Sequence, residues 1–206
     1  MAGAGPLSTP FCRAAPQAVD GRPAPGVTMR NRWLLSGAIL CLAMMTIAIP
    51  ALAADLTVTM HKATQDGTGD ELGKITIVAA PEGATFQLRL HGLPSGPHGF
   101  HIHENANCGP TLMNGVRIPA GAAGSHWDPD FIGQHAGPEG EGHRGDLPRI
   151  DVQDNGTATQ TLTAPHIKDI EALRNHALII HAGGDTYSDN PSLGGGGGRI
   201  ACGVIE

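Results

Sequence analysis

The sequence predicts an all-β protein: an eight-stranded antiparallel sandwich or barrel with two long functional loops. Three observations lead there. Thirty of the 206 residues are glycine and 16 are proline, against four Phe, two Trp and one Tyr, a composition of short strands and ordered turns. Short alternating or β-branched segments recur from residue 56 to residue 205. Two connections between them exceed the roughly 15 residues beyond which a loop is usually functional or disordered.

Taken in order, Leu56–Lys62 alternates apolar and polar residues, and Gly73–Ala79 carries Ile75, Ile77 and Val78. Thr85–Leu90 places Phe86, Leu88 and Leu90 at period two. Gly99–Glu104, Ile150–Val152, Thr157–Leu162, Ala177–Ala182 and Arg199–Ile205 complete the set. The single helix candidate is Ile167–Arg174, just after Pro165. The long connections run from Glu104 to about Arg149 and from Ala182 to Gly198. The second ends in five consecutive glycines, Gly194–Gly198, which suits a backbone passing close to another group.

The N-terminal quarter reads differently. Met29, Arg30 and Arg32 precede an apolar run, Trp33–Ile49, and Pro50-Ala51-Leu52-Ala53 supplies an A-x-A cleavage signature. That order is a secretory signal peptide over residues 29–53, with a membrane anchor as the alternative. Residues 1–28 are rich in Ala, Gly and Pro without periodicity and read as an extension ahead of a true start at Met29. The remaining domain is 54–206, enough for one core. Four of the 13 basic and one of the 19 acidic residues precede residue 54, leaving nine against 18 and a net charge of −9. So acidic a domain is a poor nucleic-acid partner, although a local positive funnel for a small anion stays allowed. Cys12 and Cys41 fall in the removed part, so Cys108 and Cys202 remain as an even pair in an oxidising, exported compartment and are expected to form one disulfide.

The 11 histidines carry the chemistry. His101 and His103 flank one residue of a strand, so both imidazoles face one side. His181, at the end of Leu178-Ile179-Ile180-His181, offers a third ligand, or a buried hydrogen-bonded histidine. His126, His135, His143 and Asp146 give three imidazoles and a carboxylate within 21 residues, the donor set of a closed zinc site, or else a solvated polar loop. Three histidines are then left over, an imidazole-rich set suited to copper. A zinc hydrolase would need an open zinc position and a general base, which a four-ligand site does not leave.

Gly99-Phe-His-Ile-His-Glu104, His126-Trp-Asp-Pro129, His143-Arg-Gly-Asp146 and Gly198-Arg-Ile-Ala-Cys-Gly-Val-Ile205 resemble, in order, the signature segments of copper/zinc superoxide dismutase. Ala182-Gly-Gly-Asp-Thr-Tyr-Ser-Asp189 and the stretch around Cys108 are similar to the bacterial, periplasmic branch. The resemblance implies a Greek-key β-barrel that dismutates superoxide to oxygen and hydrogen peroxide at one copper, with one zinc, per chain. It implies that His101, His103, His126 and His181 hold copper, and that His126, His135, His143 and Asp146 hold zinc, His126 being shared. Asp185 would join His101 to His135, Arg199 would meet superoxide beside the copper, and Cys108–Cys202 would be the family's disulfide. His98 would be structural, and His61, His91, His166 and His176 match no ligand position. The loop after His181 carries no Lys or Arg before Arg199, so any further steering charge falls to Arg117, Arg144 or Arg149. The alternative is a non-catalytic copper-binding or copper-carrier protein of the same fold. The domain would meet no nucleic acid and, after cleavage, no membrane, and the sequence suits a monomer or a homodimer.

Overall fold

The computed structural model describes residues 54–206, so the proposed extension (1–28), the signal peptide (29–53) and Cys12 and Cys41 lie outside the described residues. Eleven strands are present: β1 (Leu56–Thr64), β2 (Gly67–Ala80), β3 (Gly83–Leu90), β4 (Gly96–His98), β5 (Phe100–His103), β6 (Thr111–Met113), β7 (Val116–Ile118), β8 (Ile150–Val152), β9 (Thr161–Ala164), β10 (His176–His181) and β11 (Arg199–Ile205). Seven of them form one antiparallel sheet in the order β5-β10-β11-β1-β2-β3-β9, while β4 pairs with β8. Isolated backbone bonds link these two sheets into a barrel. Leu147 N–H donates to the Phe100 carbonyl and Ile102 N–H to that of Gly145, beside β5. At the other edge Leu93 N–H donates to Gly156, and Gln153 N–H, just past β8, to Thr157.

Alternation sets the interior. Leu56, Val58 and Met60 on β1 and Ile75 and Ile77 on β2 are buried in one cluster, with Phe86 and Phe100 meeting edge-to-face at 5.8 Å. At about 25 cal/mol per Å², burying such side chains is the main force closing the barrel. β10 is covered on both sides. Leu178 and Ile180 join the barrel core, whereas Ala177 and Ile179 pack with Ala120, Ala123, Cys108 and Cys202 beneath the long loop. That double burial is why Leu178-Ile179-Ile180 is apolar without alternation. At the β1–β2 register shift Gly73 sits at φ +110°, and a Cβ there would collide with the Arg89 carbonyl of β3.

Three expectations need correction. Ile167–Arg174 is not an α-helix; only Glu171–Leu173 makes a short 3₁₀ turn. Ile167, Ile170 and Leu173 are the buried positions, and a spacing of three matches the three-residue turn of that tighter helix. The strand expected at Thr157–Leu162 lies later, at Thr161–Ala164, with Ala158 joined to Leu90 only by an isolated bridge. The first long loop also contains the β6–β7 hairpin, turned at Asn114-Gly115 with both φ values positive (51° and 81°).

Cys108 and Cys202 are disulfide-bonded across a sequence separation of 94, with Cα atoms 5.7 Å apart. The bond ties the long loop to β11, and loop-closure entropy values it at about 4–5 kcal/mol as an upper figure. Cys108→Ser should therefore lower the melting temperature of the oxidised protein and abolish the further drop that a reductant causes in the wild type. Scanning calorimetry with and without reductant checks this; equal melting of oxidised wild type and variant would contradict it.

Candidate metal centre

All four residues of β5 are buried. Phe100 and Ile102 enter the barrel core, so period two turns His101 and His103 to the opposite face. His181 ends β10, the neighbouring strand. His126 arrives from the long loop, held by an isolated bridge to His103 and by the Trp127 N–H donating to the Ile102 carbonyl. The result is two overlapping groups of potential ligand atoms, each within 4.8 Å of one another: His101, His103, His126 and His181, and His101, His126, His135 and Asp146. His126 belongs to both. His143 stands beside the second group, with Nδ1 at 3.3 Å from Asp146 Oδ1. His101 enters that group because its ring stacks on His126, centroids 4.0 Å apart.

Each imidazole has one nitrogen fixed from behind. His101 Nε2 and His135 Nε2 lie 2.7 and 2.8 Å from the two oxygens of Asp185. His103 Nδ1 lies 2.9 Å from the Gly124 carbonyl, and His181 Nδ1 lies 3.2 Å from that of Gly197. Donation through those nitrogens leaves the opposite nitrogen of His101, His103 and His181 as a lone pair directed into the site, while His135 Nδ1 faces Asp146. Two consequences are visible. His101 Nδ1 and His135 Nδ1 are buried without a hydrogen-bond partner, although Asp146 Oδ1 stands 2.9 Å from the latter. His103 Nε2 and His181 Nε2 face each other at 3.4 Å. Facing lone pairs and orphaned buried nitrogens are costly unless a cation satisfies them, so this donor set fits bound metal. Nitrogen-rich ligation on one side and a carboxylate on the other fit copper and zinc respectively.

The electrostatics agree. Burial pulls the His101 imidazole down to about 4 and His181 to about 3, and holds His103 well below and His126 below the ordinary histidine value. These rings are neutral at pH 7, as metal ligands must be. His135 is the exception. Burial opposes its charge, but hydrogen bonding to Asp146 and Asp185 outweighs that and pushes it up to about 9. Burial would raise both carboxyls, yet His126 and His135 beside Asp146, and His101 and His135 beside Asp185, hold them well below the usual range.

The glycine run does let backbone approach the site closely. Gly194 has φ +68°, and a Cβ there would strike Asp185 Oδ1 and come within 2.8 Å of His135 Nε2. Gly196 packs on the His181 ring side, where a Cβ would lie 3.1 Å from its Cγ. His98 is structural, as expected: its ring nitrogens lie 2.7 and 2.9 Å from the His181 and Pro94 carbonyl oxygens, joining β4 to the end of β10.

A channel of about 280 Å³ reaches the first group, lined by His103, Ser125, His126, His181, Ser192, Leu193, Gly197 and Arg199. Arg199 is the one cation in that lining. Its two terminal nitrogens donate to the Ala120 and Gly124 carbonyls, both at 2.6 Å, and among the described residues no carboxylate pairs with it. The other steering candidates are absent from the lining and each is engaged by an acid: Arg117 with Asp66, Arg144 with Asp130, Arg149 with Asp151. Ser125, Ser192 and Leu193 form the rest of the mouth, which the sequence pattern did not single out.

The family model for copper/zinc superoxide dismutase matches residues 71–205. The chain is 47% identical over 164 residues to a Cu-Zn superoxide dismutase of Brucella abortus, covering 79% of this chain and 95% of that protein. It is 44% identical to the Escherichia coli K12 enzyme of that name over 163 residues, covering 79% and 94%. Among solved structures, the Brucella abortus Cu/Zn superoxide dismutase superposes with a TM-score of 0.73 at 47% identity, covering 74% of this chain and all (100%) of that one. The monomeric Salmonella enterica enzyme gives 0.67 at 47%, with the same 74% and 100% coverage. With its metal-fitting donor set and relatives matched over nearly their whole length, the chain belongs to the copper/zinc superoxide dismutase family, and it is an enzyme that binds copper and zinc and converts superoxide to oxygen and hydrogen peroxide.

Proposed function

We propose how the residues of this dismutase divide the work. His101, His103, His126 and His181 hold copper, and His126, His135, His143 and Asp146 hold zinc, with Asp185 orienting one ligand on each side. The observation that carries this reading is the pair of orphaned buried nitrogens, His101 Nδ1 and His135 Nδ1, whose opposite nitrogens share Asp185. Copper supplies one-electron chemistry between Cu(II) and Cu(I), and zinc supplies a fixed charge. His126 has Nδ1 at 2.9 Å from Asp146, which leaves Nε2 for the copper side and makes that nitrogen the place where the chain can hold or release a proton. Arg199 binds superoxide at the channel floor through its remaining donor capacity and lets peroxide leave. A guanidinium stays charged at every working pH and presents a planar fork of donors.

The enzyme is exported to the periplasm, with residues 29–53 removed as a signal peptide, residues 1–28 lying ahead of the true start and 54–206 forming the enzyme domain. The A-x-A signature, the disulfide and the bacterial relatives support this. N-terminal sequencing of the exported protein tests it, Ala54 being the expected first residue. Every ligand comes from one chain, so a homodimer would add stability and no ligands.

Arg199→Ile should retain both metals and lose about tenfold or more in dismutation rate, together with much of its salt dependence, since a single cation in the channel provides the capture field. Pulse radiolysis with metal analysis reads this; an unchanged rate would remove Arg199 from the mechanism. Asp185→Ala should weaken retention of zinc, and less strongly of copper, by about 10–100-fold in chelator competition, the usual cost of losing a carboxylate behind a ligating imidazole. Unaltered retention would mean that other contacts orient His101 and His135. Zinc binding must displace the proton from His135, whose value is raised to about 9 in the metal-free protein. Apparent zinc affinity should then climb by up to about tenfold per pH unit from neutrality and level off above that value. Calorimetric titration in buffers of differing ionisation enthalpy checks it, and a pH-independent affinity would exclude His135 as a ligand.

A further inference from the structure

Leu193 is the one aliphatic residue in the lining of the metal channel, among serines, histidines, a glycine and Arg199. Neither the fold nor the electron transfer accounts for it. It is 43% exposed and belongs to neither apolar cluster among the described residues, so it is not a core residue. Its backbone is left-handed, with φ 50° and ψ 45°, a conformation that a bulky side chain avoids and glycine takes freely. Five glycines follow it directly, so the large side chain stands alone in an otherwise bare stretch. Asp189 holds the geometry. Its Oδ1 accepts the Leu193 N–H at 3.4 Å and its Oδ2 the His135 N–H at 3.0 Å, which ties the position of Leu193 to the metal centre. Backbone strain enforced in this way concentrates at functional sites.

Arg199 creates a need that such a residue can meet. A guanidinium fork pairs better with an oxyanion that presents two oxygens in one plane than with a diatomic anion. Left to itself, Arg199 favours phosphate or a carboxylate over superoxide, so the preference must come from access. We propose that Leu193 is a specificity-determining residue of the dismutase, whose side chain at the channel mouth excludes strongly hydrated, multiply charged oxyanions and admits singly charged superoxide. This rests on Arg199 as the group that draws anions in. An anion passing an apolar wall gives up water on that side. Hydration free energy grows with the square of the charge, so a dianion loses about four times as much as a monoanion of similar size. The Ser125 and Ser192 hydroxyls, also in the lining, can donate to a small anion in place of part of its water, whereas Leu193 donates nothing.

The test uses the fully metallated enzyme at constant ionic strength and mildly alkaline pH, where phosphate is doubly charged. Pulse radiolysis reads the inhibition of dismutation by phosphate and by azide, a linear monoanion. Leu193→Asn keeps a similar size, suits the left-handed backbone and replaces the apolar wall with a polar one. It should be inhibited by phosphate on the order of tenfold more tightly than the wild type, the low end of what one apolar contact discriminates, with its azide constant within about twofold. Leu193→Gly, which removes the wall without strain, should behave likewise, and Leu193→Met, which stays apolar, should keep the wild-type ratio of the two constants. Metal content and melting temperature control for folding. Arg199→Ile should lose the phosphate inhibition; if it does not, anion capture by Arg199 fails and the filter falls with it. If Arg199→Ile behaves as expected, three results would overturn the filter alone: wild-type phosphate constants in the Asn and Gly variants, phosphate and azide constants shifting by the same factor, or a Met variant that matches the Asn one.

Discussion

The structure depends on one buried carboxylate. Asp185 accepts from Nε2 of His101 and from Nε2 of His135, and both oxygens are committed; its Oδ1 also accepts the Tyr187 N–H at 2.8 Å. Removing an ion from water costs several kcal/mol, and only such complete hydrogen bonding offsets it. Meeting that demand fixes the rest. The two rings must present Nε2 to Asp185 and so turn Nδ1 inward, one towards each half of the centre. The loop after β10 must fold back to bring Asp185 there, and Gly194 must lack a side chain to let it. Asp189 secures the same loop by accepting the His135 N–H at 3.0 Å. The dinuclear geometry therefore follows from a hydrogen-bonding requirement that exists before any metal binds.

That requirement also explains how a chain can bury so many imidazoles and still fold. Most of the rings stay neutral, since burial penalises the imidazolium form, and neutral rings cost less to bury. The one ring held charged, His135, is also the one flanked by two carboxylates. Its charge offsets part of theirs, and the barrel core beneath remains wholly apolar where Phe100 and Ile102 enter it. A strand with period two suits this division, since one side of β5 packs as core while the other carries His101 and His103.

Much of this was legible in the residue order, and what was not has identifiable causes. Strands whose two faces differ, such as β1 and β3, show as alternation. The His101–His103 pair is legible for the same reason. The pairing of Asp185 with two distant histidines is not, because a sequence separation of 50 or 84 leaves no periodic trace; only similarity to a family supplied it. The 3₁₀ turn at Glu171–Leu173 is hard to distinguish from an α-helix in the sequence, because spacings of three and of 3.6 cannot be told apart over two turns. The β6–β7 hairpin did leave a signal, Asn114-Gly115 between short β-forming segments, but so brief a ribbon inside a long loop is easily passed over. Arg199 stood out only through its motif, since its carbonyl partners belong to a loop about 75 to 79 residues away.

Those partners decide what Arg199 can do. A guanidinium facing a carboxylate would be neutralised, and its field at the channel floor would vanish within a few ångströms. Bonds to the neutral Ala120 and Gly124 carbonyls fix its position and leave its unit charge uncompensated. The Gly124 carbonyl is also the one 2.9 Å from His103 Nδ1, so a single peptide group orients both the arginine and an imidazole of the first group. The Cys108–Cys202 bond anchors the loop that carries it to β11, the strand that begins at Arg199. In a domain of net charge −9 that sequence of constraints matters, because Arg117, Arg144 and Arg149 are each paired with an acid. Arg199 is the one cation in the channel lining, and no carboxylate among the described residues cancels its charge.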